Sequence, residues 1–222
     1  MVGTPELSLE KLEQLIVEQV PRDVFMALED AYYSGDERGR MSASDFAQGH
    51  RPSAAGSVKH FHINEAFHEA LEAHGAEPTP LRGTRLVIGR VGMFHVVRLN
   101  VPGHKWVNLQ RSATRKRLAE FNDSIQHHYV QRSLFDVDVP LPTGGTIFIL
   151  GVMDGQDASG VAQLTQVMVA LPSPNLQRWL YKKSVAELLD VYDRPETVVQ
   201  PDNALPQLKP QPQIQTGNDH GN

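Results

Sequence analysis

The spacing of apolar residues along the chain changes from a helical to a strand period near Gly75. Before this point, apolar side chains recur every three or four residues, as they do on the buried face of a helix. Between residues 93 and 101, five residues of one parity alternate with Phe94, Val96, Arg98 and Asn100. A period of two is typical of a strand. The chain must therefore pack helices against a sheet.

Three helices are predicted in the N-terminal part. The first carries Leu12 and Ile16 on one face and ends at Pro21, because proline breaks a helix. The second carries Phe25 and Tyr32 and ends near Gly35. Residues 34–59 are rich in Gly, Ser, Asp and Arg, which predicts a long surface loop. The third helix spans residues 63–74.

The strand-like segments form two predicted hairpins. Residues 84–91 pair with 93–101 through a tight turn at Val91-Gly92, and residues 146–153 pair with 161–171. Residues 105–110 are predicted to form a further strand between the hairpins. The element order is α-α-α-β-β-β-α-β-β-α. Because hairpins dominate, we predict an α+β fold with an antiparallel sheet built from two hairpins and with flanking helices.

Two helices complete this order. Ser112 is the predicted N-cap of a helix that places Leu118 and Phe121 on its inner face. A terminal helical segment begins at Ser173-Pro174, and Ser184 with Glu187 forms a capping box for its last turns. We predict one globular domain over residues 1–194. Residues 195–222 are dominated by Pro, Gln, Asn and Gly with few aliphatic residues, which predicts a disordered tail.

Composition excludes several kinds of site. The 222 residues contain no cysteine, so the chain has no disulfide, thiolate zinc site or cysteine nucleophile. Residues 1–15 contain no basic stretch followed by an apolar run, so we expect no secretory signal, and the sequence has no apolar run of the roughly 20 residues that a membrane helix needs. We therefore expect a soluble, cytoplasmic protein without a membrane partner.

Charge is distributed very unevenly. The net charge is −5, yet residues 78–119 contain no Asp or Glu and nine of the 21 basic residues. An acid-free window of this length has odds on the order of one in two hundred at the chain's overall acid content. The remainder of the chain is correspondingly acidic. A strongly basic segment within an acidic protein indicates a surface for an anionic partner.

The predicted positions of these basic residues are unfavourable without such a partner. The predicted hairpin turn places Arg85 opposite Arg98, and like charges in this arrangement destabilise a sheet. Arg115 and Lys116 fall in the first turn of a helix, where cations are unfavourable. We therefore predict a non-enzymatic binding or regulatory protein whose basic hairpin-plus-helix face, within residues 82–117, binds a polyanion, most simply nucleic acid. The predicted contact residues are Arg85, Arg98, Lys105, Trp106, Arg111, Arg115 and Lys116, with Phe94 and His104 as further stacking candidates.

Three alternatives remain open at this stage. The basic residues form an ordinary solvated surface, or they dock an acidic protein or a second subunit. In the third alternative, His62, Glu65 and His68 hold a metal in a hydrolase site within residues 60–72. Glu65 and His68 are equally well explained as part of a surface with helical ion pairs. No nucleophile, phosphate-binding loop or dinucleotide motif is present, so the sequence favours a role without catalysis or a cofactor.

Overall fold

The computed structural model describes residues 5–83, 85–103, 106–130, 141–158 and 160–194. Over these ranges the chain forms six helices and one five-stranded mixed sheet, which confirms the predicted α+β class. The predicted C-terminal tail, residues 195–222, lies outside the described residues. Among the described helices, none is long and apolar enough to cross a membrane.

The N-terminal part folds into three helices, as predicted, but two of them are longer than expected. They are α1 (Pro5–Gln19), α2 (Arg22–Ala43) and α3 (Arg51–Ala73). The prediction of a surface loop over residues 34–59 is therefore wrong, because only the short connection between α2 and α3 is not helical. The two helices form an antiparallel hairpin, and one face of this segment lies at their contact.

Two glycines explain why a loop-like composition folds as a helix pair. A Cβ atom on Gly35 would lie 2.6 Å from the Ile63 Cα, and one on Gly39 would lie 2.6 Å from the Lys59 Cα. Glycine is required at both positions because the two backbones are in contact there. Between these glycines, the buried carboxylate of Asp36 lies 2.6 Å from the Lys59 ammonium. Both the small and the polar residues thus belong to a helix interface.

The sheet contains three hairpins rather than two. β1 (Ile88–Val91) pairs with β2 (Phe94–Pro102), while β3 (Gly145–Gln156) pairs with β4 (Ala162–Pro172), as predicted. β5 (Trp179–Ser184) pairs with β4 where a helix was predicted. The prediction of a strand over residues 105–110 is also wrong, because Trp106–Arg111 forms a 3-10 helix.

One pair of neighbouring strands is parallel, which corrects the prediction of a wholly antiparallel sheet. The strand order is β1-β2-β3-β4-β5, and β2 runs parallel to β3, with Phe94 beside Gly145 and Pro102 beside Met153. A parallel pair needs a long crossover. The connection between these strands carries the 3-10 helix, α4 (Ala113–Glu120), α5 (Asp123–Ile125) and a π-helical turn (Gln126–Val130).

Both faces of the sheet are covered. One face packs against α1, α2, α3 and α6 (Val185–Tyr192), and the other packs against α4 and the 3-10 helix. Successive residues of β2 therefore enter different cores, with Phe94 and Val96 on the first face and Val97 and Leu99 on the second. The capping box of Ser184 and Glu187 is confirmed at the start of α6. The basic segment of the sequence is consequently divided between two layers.

Candidate functional site

The segment before β1 forms a loop that is held by hydrogen bonds and carries two exposed arginines. The Thr79 hydroxyl accepts a hydrogen bond from the Ile88 N–H at 3.1 Å and donates to the Leu86 carbonyl at 3.2 Å. At the tip of the loop, the Arg85 N–H donates to the Arg82 carbonyl at 3.1 Å. Arg82 and Arg85 therefore lie at the two ends of one turn, and both side chains are exposed.

The start of α4 faces this loop. Ser112 is the N-cap, as predicted, and its hydroxyl accepts a hydrogen bond from the Arg115 N–H at 3.4 Å. Arg115 is thus in the first turn of α4, where the N–H groups of a helix point outward without intrahelical partners. The first turn contains no acidic residue. The positive end of the helix dipole and the Arg115 guanidinium are therefore close together.

The loop and α4 enclose an open cleft of about 690 Å³, which we call the arginine cleft. Three arginines, two threonines and the Ser112 cap are the polar residues of its lining. The lining residues are Thr79, Pro80, Arg82, Arg85, Leu86, Ile88, Ser112, Thr114 and Arg115. None of them carries a negative charge. The cleft is therefore a concave surface suited to an anion.

The arginines of the cleft have no counter-charge within the described ranges. No Asp or Glu there forms an ion pair with Arg82, Arg85 or Arg115. Partial burial lowers the pKa of Arg115 from its ordinary value, because burial removes water from its charged form. Arginine nevertheless remains charged near neutral pH. An anion in the cleft would offset both the lost hydration and the mutual repulsion.

Arg98 does not belong to this surface, contrary to the prediction. Its side chain is only 2% exposed and lies on the other face of the sheet, under α3. Ile88 pairs with Val97 and Val91 with Phe94, so the turn is Gly92-Met93, one residue beyond the predicted Val91-Gly92, and the register differs by two residues. Arg85 lies before β1 and does not pair with Arg98. Arg98 therefore cannot contact an external phosphate.

Arg98 instead organises a buried polar network. Its guanidinium donates to Asn64 Oδ1 at 2.8 Å, to Asn100 Oδ1 at 2.9 Å and to His60 Nδ1 at 2.8 Å. Its charged group also lies 5.9 Å from the centre of the Tyr32 ring. Burial lowers the pKa of His60, and the charge of Arg98 lowers it further. His60 must be neutral at Nδ1 to accept this hydrogen bond. The network joins α2 and α3 to the centre of the sheet.

The remaining predicted contact residues fall into three groups. Arg111 and Lys116 are exposed, but neither lines the arginine cleft. Lys105 and His104 lie outside the described residues, as does the Trp106 side chain. Phe94, proposed as a stacking residue, is fully buried and belongs to the core. Of the predicted set, the structure thus brings Arg85 and Arg115 together and adds Arg82.

The alternative metal site is not assembled. His62 Nδ1 lies 3.3 Å from Glu65 Oε2, whereas His68 pairs with Glu72, with 3.9 Å between Nδ1 and Oε2. These are separate pairs at helical spacing. In the described part of the chain, no three His, Asp or Glu side chains are grouped to hold a metal ion. The structure offers no support for the hydrolase alternative.

An exposed aromatic residue beside the cleft was assigned to the wrong side of its helix. Phe121 was predicted on the inner face with Leu118, but α4 ends at Glu120 and Phe121 is 52% exposed. Its ring packs on His95, which is half-buried rather than in the core. The apolar spacing of the sequence does not show the bend at Asn122, which follows the end of α4.

Asn122 supplies the physical reason for this bend. Its side-chain amide is completely buried, donates to the carbonyls of Thr146 and Pro172 at 3.0 and 2.9 Å, and accepts from the Thr146 N–H at 2.6 Å. These bonds hold the end of α4 against β3 and the end of β4. The exposed position of Phe121 follows from this anchor.

No protein-family model matches the sequence, and no curated protein or solved structure matches it either.

Proposed function

We propose that the chain is a non-enzymatic nucleic-acid-binding protein and that the arginine cleft holds phosphate groups. The observation that carries this proposal is the convergence of Arg82, Arg85 and Arg115 on one concave surface that contains no acidic residue. Arginine matches phosphate geometry because its planar guanidinium donates two parallel hydrogen bonds. The first turn of α4 adds outward-pointing N–H groups, which also bind phosphate.

A bound anion would relieve two unfavourable charge interactions at the arginine cleft. A cation in the first turn of a helix costs about 0.3 to 1 kcal/mol, and clustered like charges add repulsion. A bound phosphate converts both unfavourable terms into attraction. Acidic residues are available elsewhere in the chain, yet none is used in this segment. The arrangement is therefore better explained by an external anion than by folding stability.

Binding to a fluorescently labelled single-stranded oligonucleotide, followed by anisotropy at low salt, tests the proposal. The variant Arg85→Ala/Arg115→Ala should weaken binding about tenfold or more, because it removes two charge-assisted contacts. The matched control is Lys11→Ala/Arg194→Ala, which removes two exposed positive charges from α1 and from the end of α6, in the opposite layer. Equal affinities for the two variants would overturn the proposal.

Comparing two anionic probes, with the same variants, distinguishes a nucleic-acid partner from an acidic protein partner. Polyglutamate presents carboxylates at high density but no phosphate. A chain selected for nucleic acid should bind the oligonucleotide more tightly than a polyglutamate of equal charge at the same salt concentration. Tighter binding of polyglutamate, lost in Arg85→Ala/Arg115→Ala, would instead assign the cleft to an acidic protein.

A further inference from the structure

The end of α4 carries an aromatic ring that no core residue covers. Phe121 is 52% exposed, and one face of its ring packs on His95 with 5.0 Å between ring centres and 36° between their planes. His95 lies on β2, whose backbone is held between β1 and β3. An aromatic ring that is half exposed and packs against a neighbouring ring is a suitable platform for stacking a planar group.

Phe121 also lines a second hollow, which adjoins the arginine cleft along α4. This hollow has a volume of about 510 Å³ and is formed by Thr114, Arg117, Leu118, Glu120 and Phe121. Thr114 lines both cavities. The helix α4 therefore borders both cavities, and we call its surface from the arginine cleft to Phe121 the ridge.

We propose that this ridge binds a single strand of nucleic acid, with one base stacked on Phe121 and neighbouring phosphates in the arginine cleft. The inference rests on the proposed function and specifies its ligand. Single-stranded ligands are bound in this manner, by a positive groove beside aromatic side chains. A duplex is disfavoured because its bases are stacked inside the helix and cannot reach an exposed ring.

The charges of the hollow favour a base there and the phosphates of the backbone in the arginine cleft. The Glu120 carboxylate repels phosphate, whereas a nucleobase is uncharged and can enter beside it. Arg117, at the same hollow, is placed to attract the strand that runs over the ridge. The eight residues of α4 span about 12 Å, so only a few nucleotides are needed to reach from the arginine cleft to Phe121.

The decisive experiment compares three probes: a labelled oligothymidine single strand, a blunt duplex of the same length, and inorganic polyphosphate, which has no bases. The variant Phe121→Ala should weaken binding of the single strand about fivefold or more and leave polyphosphate binding unchanged. Phe121→Trp should retain single-strand affinity, because it preserves the stacking surface. The control Phe61→Ala removes another exposed ring, 43% exposed and located on α3, and should have no effect.

The outcomes distinguish this inference from the proposed function. If Phe121→Ala leaves single-strand affinity unchanged while Arg85→Ala/Arg115→Ala lowers it, stacking is refuted and phosphate binding stands. A parallel loss of single-strand and polyphosphate binding in Phe121→Ala also refutes stacking, since the effect would then be structural. Equal affinity for duplex and single strand contradicts the inference as well. If the arginine variant retains all binding, both proposals fail.

Discussion

Replacing Gly35 with alanine should destabilise the protein, whereas the same replacement at Gly56 should stabilise it. Both glycines are helical, and alanine is about 1 kcal/mol more favourable than glycine inside a helix. At Gly35, a Cβ atom would lie 2.6 Å from the Ile63 Cα and 2.7 Å from the Ile63 backbone nitrogen. At Gly56, it would meet no atom within 4 Å.

The expected magnitude follows from these distances. Ordinary contacts begin at 3.4 Å, so α2 and α3 must separate by about 0.8 Å to admit the methyl group. Overpacking costs about 1 to 3 kcal/mol, and the upper end applies here because the atoms in the way are backbone. After the gain in helix propensity, Gly35→Ala should lose about 2 kcal/mol, while Gly56→Ala should gain about 0.5 to 1 kcal/mol.

Urea unfolding followed by far-ultraviolet circular dichroism measures both changes in the free energy of unfolding. The two variants should differ by about 3 kcal/mol, which corresponds to roughly 6 to 12 °C in Tm for a chain of this size. Both variants replace a helical glycine with alanine, so the gain in helix propensity is the same in each and cancels when their free energies of unfolding are compared. Equal stabilisation by both alanines would refute the close approach of α2 and α3.

Two further predictions concern buried charges on the helical side of the sheet. Burial and the charge of Arg98 lower the pKa of His60, so the folded state binds fewer protons than the unfolded state, and the free energy of unfolding should fall as the pH drops below about 6.5. The variant His60→Asn keeps an acceptor for Arg98 and should show a smaller fall in the urea midpoint between pH 8 and pH 5. Asp36→Ala leaves the Lys59 ammonium buried without its partner, so it should lower the free energy of unfolding by about 3 to 5 kcal/mol, and adding Lys59→Met should recover most of the loss. Unchanged urea midpoints in Asp36→Ala would contradict this ion pair.

The parts of the fold that depend on local patterns could be read from the sequence. Alternation identified β2, and the two segments predicted as the second hairpin correspond to β3 and β4. The capping box predicted at Ser184 and Glu187 lies at the start of α6, although the helical segment was predicted to begin earlier, at Ser173-Pro174. The helix pair was missed because the close approach at Gly35 and Gly39 is a tertiary contact, and small residues look like a loop in one dimension. The parallel pairing of β2 with β3 is likewise set by the path of a long crossover and not by composition.

In the candidate site too, local patterns were readable from the sequence and tertiary contacts were not. The acid-free segment was visible as a charge pattern, and it contains all three arginines of the cleft. Its regular alternation could not show which face of the sheet α3 covers, so Arg98 was placed on the surface although it is buried. Phe121 was placed inside because the buried amide of Asn122, which ends α4 against β3, leaves no signature in apolar spacing.

The salt dependence of oligonucleotide binding tests the central claim most directly, because it counts phosphate contacts. Each contact to a single strand contributes about 0.7 to the slope of log affinity against log salt concentration. Contacts from Arg82, Arg85 and Arg115 predict a slope of about 2 or more, and the triple replacement by glutamine should reduce it by about 2. An unchanged slope in the triple variant would show that the arginine cleft does not hold the phosphates.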